Sequence, residues 1–135
     1  MHRTRVVVAD DHASVLTTVA ALLRESFDVV GTVSDGRAAL EAILDLEPDL
    51  VVLDISMPAM SGIDVAHELE KHGSKVKIVF LTVHEDSDIL RTCQAAGGLG
   101  YVLKDFMDTD LVPAMKRALD GHTFTSGFRI SHDTP

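Results

Sequence analysis

The chain has 135 residues, 46% hydrophobic and 24% charged, with a formal net charge of −9 at pH 7 and one cysteine. That length fits a single domain, no apolar run approaches the ~18 residues of a membrane span, and the acidic balance with scattered Lys and Arg argues against direct contact with nucleic acid. Cys93 has no second cysteine to pair with and reads as a small buried apolar side chain, while the apolar run near the N-terminus is too short for a signal peptide, so the cytoplasm is expected.

Five short runs rich in Val, Ile and Leu alternate with segments of helical spacing. The first, "RVVVA" (5–9), ends in Asp10 and Asp11 and is followed by a stripe of Val15, Leu16, Val19, Leu22 and Leu23. "FDVVGTV" (27–33) comes next, then Ser34 or Asp35 as a helix cap and a stripe of Leu40, Ile43 and Leu44. "LVVL" (50–53) ends in Asp54. Ser61 is placed to cap the helix carrying Ile63, Ala66 and Leu69, which stops at Gly73. "KIVFLTV" (77–83) reaches Thr82, and Asp86 or Ser87 caps a helix with Ile89, Leu90 and Cys93 that should end at Gly97 and Gly98. "LGYVL" (99–103) runs into Lys104, and Leu111, Val112, Met115 and Leu119 mark a last helix before Gly121. Residues 1–121 therefore read as one domain and 122–135, "HTFTSGFRISHDTP", as a tail or the start of a linker.

Strands without strict alternation are covered on both faces, and parallel strands need long right-handed crossovers. The predicted fold is thus α/β, a doubly wound parallel sheet with helices on both faces. In such a sheet ligands bind beyond the carboxyl ends of the strands, and that rule gathers Asp10, Asp11, Asp54, Thr82 and Lys104 at one edge. A carboxylate ending a buried strand is costly without partners, and three crowded together repel. They call for a divalent cation, and oxygen-only ligands with room for water suit Mg²⁺. Lys104 and Thr82 are then placed for phosphoryl oxygens, with Asp54 as a nucleophile that accepts a phosphoryl group.

The order "ADDH" (9–12), "LDISMP" (53–58) with "SG" (61–62), "LT" (81–82) and "GYVLK" (100–104) resembles the receiver domain of two-component response regulators over roughly Arg5 to Gly121, and "DDH", "LTVHED" and "GYVLKD" look most like the NarL/LuxR-type subfamily. The resemblance implies a flavodoxin-like, CheY-like sheet of five strands in the order 2-1-3-4-5. It implies Asp54 as phosphoacceptor and Asp10 and Asp11 as the acidic pair that holds Mg²⁺, Asp11 directly and Asp10 mainly through water, with Asp54 and the backbone carbonyl of Ser56 completing the metal set. Thr82 and Tyr101 would be the switch pair and Lys104 the phosphoryl-binding lysine, with Met57 and Pro58 shaping the loop after Asp54 and Gly62 turning it into the next helix. The implied partner is a sensor histidine kinase, and homodimerisation on phosphorylation fits the family. The output, through the face of the fourth helix, fifth strand and fifth helix, would be transcription by a helix-turn-helix domain outside this sequence, the domain itself making no DNA or membrane contact.

Ser56 and His84, two residues past Asp54 and Thr82, flank the path of a hydrolytic water and are read as tuning phosphoryl lifetime, whereas His12 and His84 are not read as metal ligands. Taken singly, "DD" is a solvated turn, a threonine after a strand a cap, a lysine a surface charge and Tyr101 a half-buried aromatic; only their joint placement speaks. A phosphatase of the haloacid-dehalogenase type would need an aspartate where Ser56 stands. The competing class is a receiver-type binding module that works without phosphorylation.

Overall fold

In the computed structural model, which describes residues 3–126, six parallel strands form one sheet in the order β2-β1-β3-β4-β5-β6. The strands are β1 (Arg5–Ala9), β2 (Asp28–Val33), β3 (Leu50–Asp54), β4 (Lys77–Thr82), β5 (Gly98–Leu103) and β6 (Phe124–Thr125). The helices are α1 (Ala13–Arg24), α2 (Gly36–Leu46), α3 (Gly62–Lys71), α4 (Ser87–Ala95) and α5 (Met107–Leu119). Successive strand residues face opposite layers, as the pleat requires. Val7, Val51, Leu53, Phe80 and Tyr101 pack with Ala39, Ile43, Val65 and Leu69 of α2 and α3. Val6, Val8, Leu50, Val52, Leu81 and Val102 pack with Val19, Leu23, Leu111 and Met115 of α1 and α5. All five residues of β3 are buried, which is why that strand reads as an unbroken apolar run.

Local chemistry sets the element ends. Asp35, Ser61 and Asp86 cap α2, α3 and α4, their side chains accepting from Ala38, Asp64 and Asp88 N–H. Gly73 and Gly97 take positive φ just past α3 and α4. Gly98, expected to end the fourth helix, instead opens β5: a Cβ there would stand 2.6 Å from the Phe80 ring, so glycine serves close packing. Val83 leaves its expected strand and is 68% exposed.

The sheet also departs from the five strands expected. After α5 the chain turns through Gly121 at φ 82° and returns along β5, so Phe124 and Thr125, assigned by the sequence to the tail, add a sixth strand opposite Gly100 and Tyr101. Residues 127–135 of the expected tail lie outside the described residues. Strand order reverses between β1 and β3, whose carboxyl ends carry Asp10 and Asp54 side by side.

Candidate functional site

Asp10 is 0% and Asp54 5% exposed, and both stand at the ends of strands that cannot move without disturbing the core. Asp10 Oδ1 accepts from the His12 N–H at 2.9 Å, bending the chain from β1 into α1. Asp54 is delivered by a loop with little freedom: the Gly62 N–H donates to the Ile55 carbonyl at 2.8 Å, and the Gly36 N–H to the Pro58 carbonyl at 3.1 Å. A Cβ on Gly62 would lie 2.1 Å from the Asp54 carbonyl oxygen, so only glycine fits where α3 starts against the strand end.

Lys104, the first residue of a 3-10 turn over Lys104–Phe106, reaches back over both acids. Its Nζ lies 2.9 Å from Asp10 Oδ2 and 3.4 Å from Asp54 Oδ2, with only 12% of its side chain exposed. The contact with Asp10 lacks hydrogen-bond direction, and Asp10 Oδ2 is buried with no hydrogen bond of its own. Asp11 stands at the mouth of the site, more exposed, with its Oδ1 3.2 Å from His12 Nδ1. One lysine facing three carboxylates leaves the site net negative. Burial, followed by the charge of Asp10, pushes the Asp54 carboxyl up to about 6, against the opposing pull of Lys104 and a backbone hydrogen bond from Ser56; a side-chain hydrogen bond with Asp11 raises it further.

The donor set fits a hard divalent cation. One oxygen each from Asp10, Asp11 and Asp54, with a ring nitrogen of His12, all lie within 4.8 Å of one another. Octahedral oxygens at ~2.0–2.1 Å from Mg²⁺ stand roughly 3–4 Å apart, so modest contraction closes the set, and the excess of three carboxylates over one lysine is what such an ion offsets.

The second half of the site lies on β4 and β5. Thr82 is 1% and Tyr101 2% exposed. The Thr82 Oγ1 accepts from the His84 N–H at 3.1 Å, and the Tyr101 hydroxyl donates to the His84 carbonyl at 3.0 Å. One peptide segment, that of His84, thus ties the threonine to the tyrosine. The sequence marked His84 for its side chain; its backbone is what bridges, and nothing in residue identity announces that. His12, set aside as a ligand, stands beside the acids with its ring 65% exposed. Ser56 is exposed beyond Asp54.

The response regulator receiver domain family matches residues 6–116. The chain belongs to that family. The curated relatives it matches include an uncharacterized transcriptional regulatory protein, YvfU, of Bacillus subtilis, 38% identical over 119 residues, covering 87% of this chain and 60% of the relative. The oxygen regulatory protein NreC of Staphylococcus epidermidis is 34% identical over 123 residues, covering 89% of this chain and 56% of the relative. The chain therefore spans about 60% or less of these relatives' length. Among solved structures, the receiver domain of a putative response regulator NarL from Mycobacterium tuberculosis superposes with a TM-score of 0.86 at 33% identity, covering 90% of this chain and all of that one. The isolated receiver domain of RcsB from Salmonella enterica, solved with phosphomimetic BeF3⁻, gives 0.85 at 28% identity, covering 94% and 96%. The neighbours are thus receivers of the NarL/LuxR type, and this receiver shares their CheY-like fold. No helix among the described residues is long and apolar enough to cross a membrane.

Proposed function

We propose that this receiver is a phosphorylation-dependent signalling switch that takes a phosphoryl group from the phosphohistidine of a sensor kinase onto Asp54. The observation that carries the reading is the buried Asp10–Lys104–Asp54 contact at the carboxyl edge of the sheet. It combines an acceptor carboxylate with a cation aimed at it and leaves negative charge for a metal to match. In the transfer a P–O bond forms at an Asp54 carboxylate oxygen as the P–N bond of the donor breaks, and the imidazole leaves and takes up a proton. Asp10, Asp11 and Asp54, with the Ser56 backbone carbonyl, would hold Mg²⁺; when bound it neutralises charge on these carboxylates and on the phosphoryl oxygens.

The chain's own residues do the remainder. Lys104 supplies a fixed positive charge to the phosphoryl oxygens, and Thr82 a hydroxyl donor. No general base is needed, because positioning and charge neutralisation dominate phosphoryl transfer. Thr82 turning toward a new phosphoryl oxygen alters its bond to the His84 N–H, and the His84 carbonyl then carries the change to Tyr101, already in a buried position. The face of α4, β5 and α5 is biased by that local event. Ser56 and His84 flank the hydrolytic side and tune phosphoryl lifetime. The name of YvfU, a transcriptional regulatory protein, supports transcription as the output, which would run through a helix-turn-helix domain distinct from this receiver.

Intact mass after incubation with Mg²⁺ and acetyl phosphate tests the reading. A phosphoryl adduct on the wild type that is absent from Asp54→Asn and abolished by a chelator is expected. A folded wild-type sample that takes no phosphoryl group from either acetyl phosphate or a phosphoramidate overturns it.

A further inference from the structure

Ser126 is the one buried hydroxyl among the described residues that lies outside the site on β1, β3, β4 and β5. It is 2% exposed, although it stands one residue past the end of β6. Its N–H donates to the Tyr101 carbonyl at 2.9 Å, and its Oγ accepts from the Leu103 N–H at 2.8 Å. In a parallel ladder one residue bonds through its N–H and its C=O to the two partner residues that flank its position. Ser126 makes both contacts across β5, but its hydroxyl stands in for its carbonyl. The side chain thereby completes the ladder in place of the main-chain carbonyl.

These two bonds fall at the end of β5, the strand that carries Tyr101 and leads into Lys104. Leu103 is the last residue of the strand, and Lys104 follows it as the start of the 3-10 turn. On its other side Leu103 is held in register with Thr82 of β4. Leu103, one residue before Lys104, is therefore flanked by Thr82 on one side and bonded to Ser126 on the other. The approach to Ser126 is itself tied down, since the Arg117 Nε–H donates to the Thr123 carbonyl at 2.8 Å and the His122 N–H to the Arg117 carbonyl at 2.9 Å.

We propose that Ser126 is a positioning residue for phosphoryl transfer: by clamping the Leu103 N–H it fixes the backbone from which Lys104 reaches Asp54, so that the segment following α5 belongs to the switch. The inference rests on Asp54 being the phosphoacceptor. It requires that loss of the hydroxyl slow the transfer through Lys104 while leaving the carboxylates on β1 and β3 alone. A displacement well under 1 Å at a charged group facing the phosphoryl oxygens corresponds to a loss of about five- to tenfold in rate.

The experiment compares wild type, Ser126→Ala, Ser126→Thr and, as a control on the exposed neighbour, Thr125→Ala. Two readouts are taken: the rate of adduct formation with acetyl phosphate across a Mg²⁺ titration, and amide exchange resolved at Leu103. Expected for Ser126→Ala is faster exchange at Leu103, a maximal rate lower by about five- to tenfold, and an unchanged Mg²⁺ half-saturation; threonine restores the rate and Thr125→Ala keeps it. A purely structural role would lower the melting temperature of Ser126→Ala without this pattern. A wild-type rate in Ser126→Ala, or a rate in Ser126→Thr as low as in alanine, overturns the proposal. Absence of an adduct on the wild type overturns the phosphoacceptor reading itself, and with it this extension.

Discussion

Asp54→Asn should stabilise the metal-free protein, and the gain should grow with pH. Burial and the neighbouring Asp10 raise the Asp54 carboxyl from an ordinary value of 3.8 to about 6, so the folded state holds the proton more tightly than the unfolded chain does. Below 3.8 the group is protonated in both states and its favourable contribution is complete; that contribution is lost as pH rises through about 6. At ~1.4 kcal/mol for each tenfold difference in proton affinity, the loss between pH 3.8 and pH 7 is on the order of 3 kcal/mol. Asparagine has no charge to form there, and Lys104 keeps Asp10 as its partner at 2.9 Å. Urea unfolding with chelator present, at steps from pH 4 to pH 8, should show the stability of Asp54→Asn minus that of wild type rising by roughly 2–3 kcal/mol, most of it between pH 4 and 6 and little above pH 7. Saturating Mg²⁺ at pH 8 should stabilise the wild type and shrink the gap. A difference that stays flat across this range would refute the claim that buried, repelled charge at Asp54 is what the cation relieves.

Mg²⁺ affinity itself should weaken as pH falls through about 6, because Asp54 must lose its proton to act as a ligand; calorimetric titration in buffers of differing ionisation heat would register the released protons. Gly62→Ala should cost roughly 1–3 kcal/mol and slow adduct formation, since the new methyl would overlap the Asp54 carbonyl oxygen, and an unaltered melting temperature would contradict the close approach of 2.1 Å. Tyr101→Phe removes the bond to the His84 carbonyl and should cost about 1 kcal/mol while leaving the rate of adduct formation intact, which separates the switch residue from the transfer residues. Lys104→Gln leaves Asp10 and Asp54 facing each other without a cation, and both the adduct rate and the stability at pH 8 should fall, the latter by as much as roughly 3–5 kcal/mol when both acids stay ionised.

The residues at the carboxyl edge were legible because each ends an apolar run: Asp10 after "RVVVA", Asp54 after "LVVL" and Lys104 after "GYVL" are where chemistry must follow a buried strand. The caps at Asp35, Ser61 and Asp86 were legible for a similar reason, a polar residue placed just before a helical stripe. Tertiary contacts were not. Gly98 reads as a helix stop in sequence, and only its approach to Phe80 shows that it begins a strand. Phe124 and Thr125 are too short a run to signal a strand, and they pair because Gly121 turns the chain back onto the edge of β5. The tie between Thr82 and Tyr101 through the His84 backbone, and the Ser126 hydroxyl acting in place of a carbonyl, depend on main-chain geometry that residue type does not encode.

The central claim is that Asp54 is the atom-level acceptor, and reduction of the phosphorylated protein with borohydride tests it most directly. An acyl phosphate on an aspartate is reduced to homoserine, so peptide mapping should find homoserine at position 54 and aspartate at positions 10 and 11. Homoserine at another position, or a phosphorylated protein in which no carboxyl group is reduced, would contradict the account.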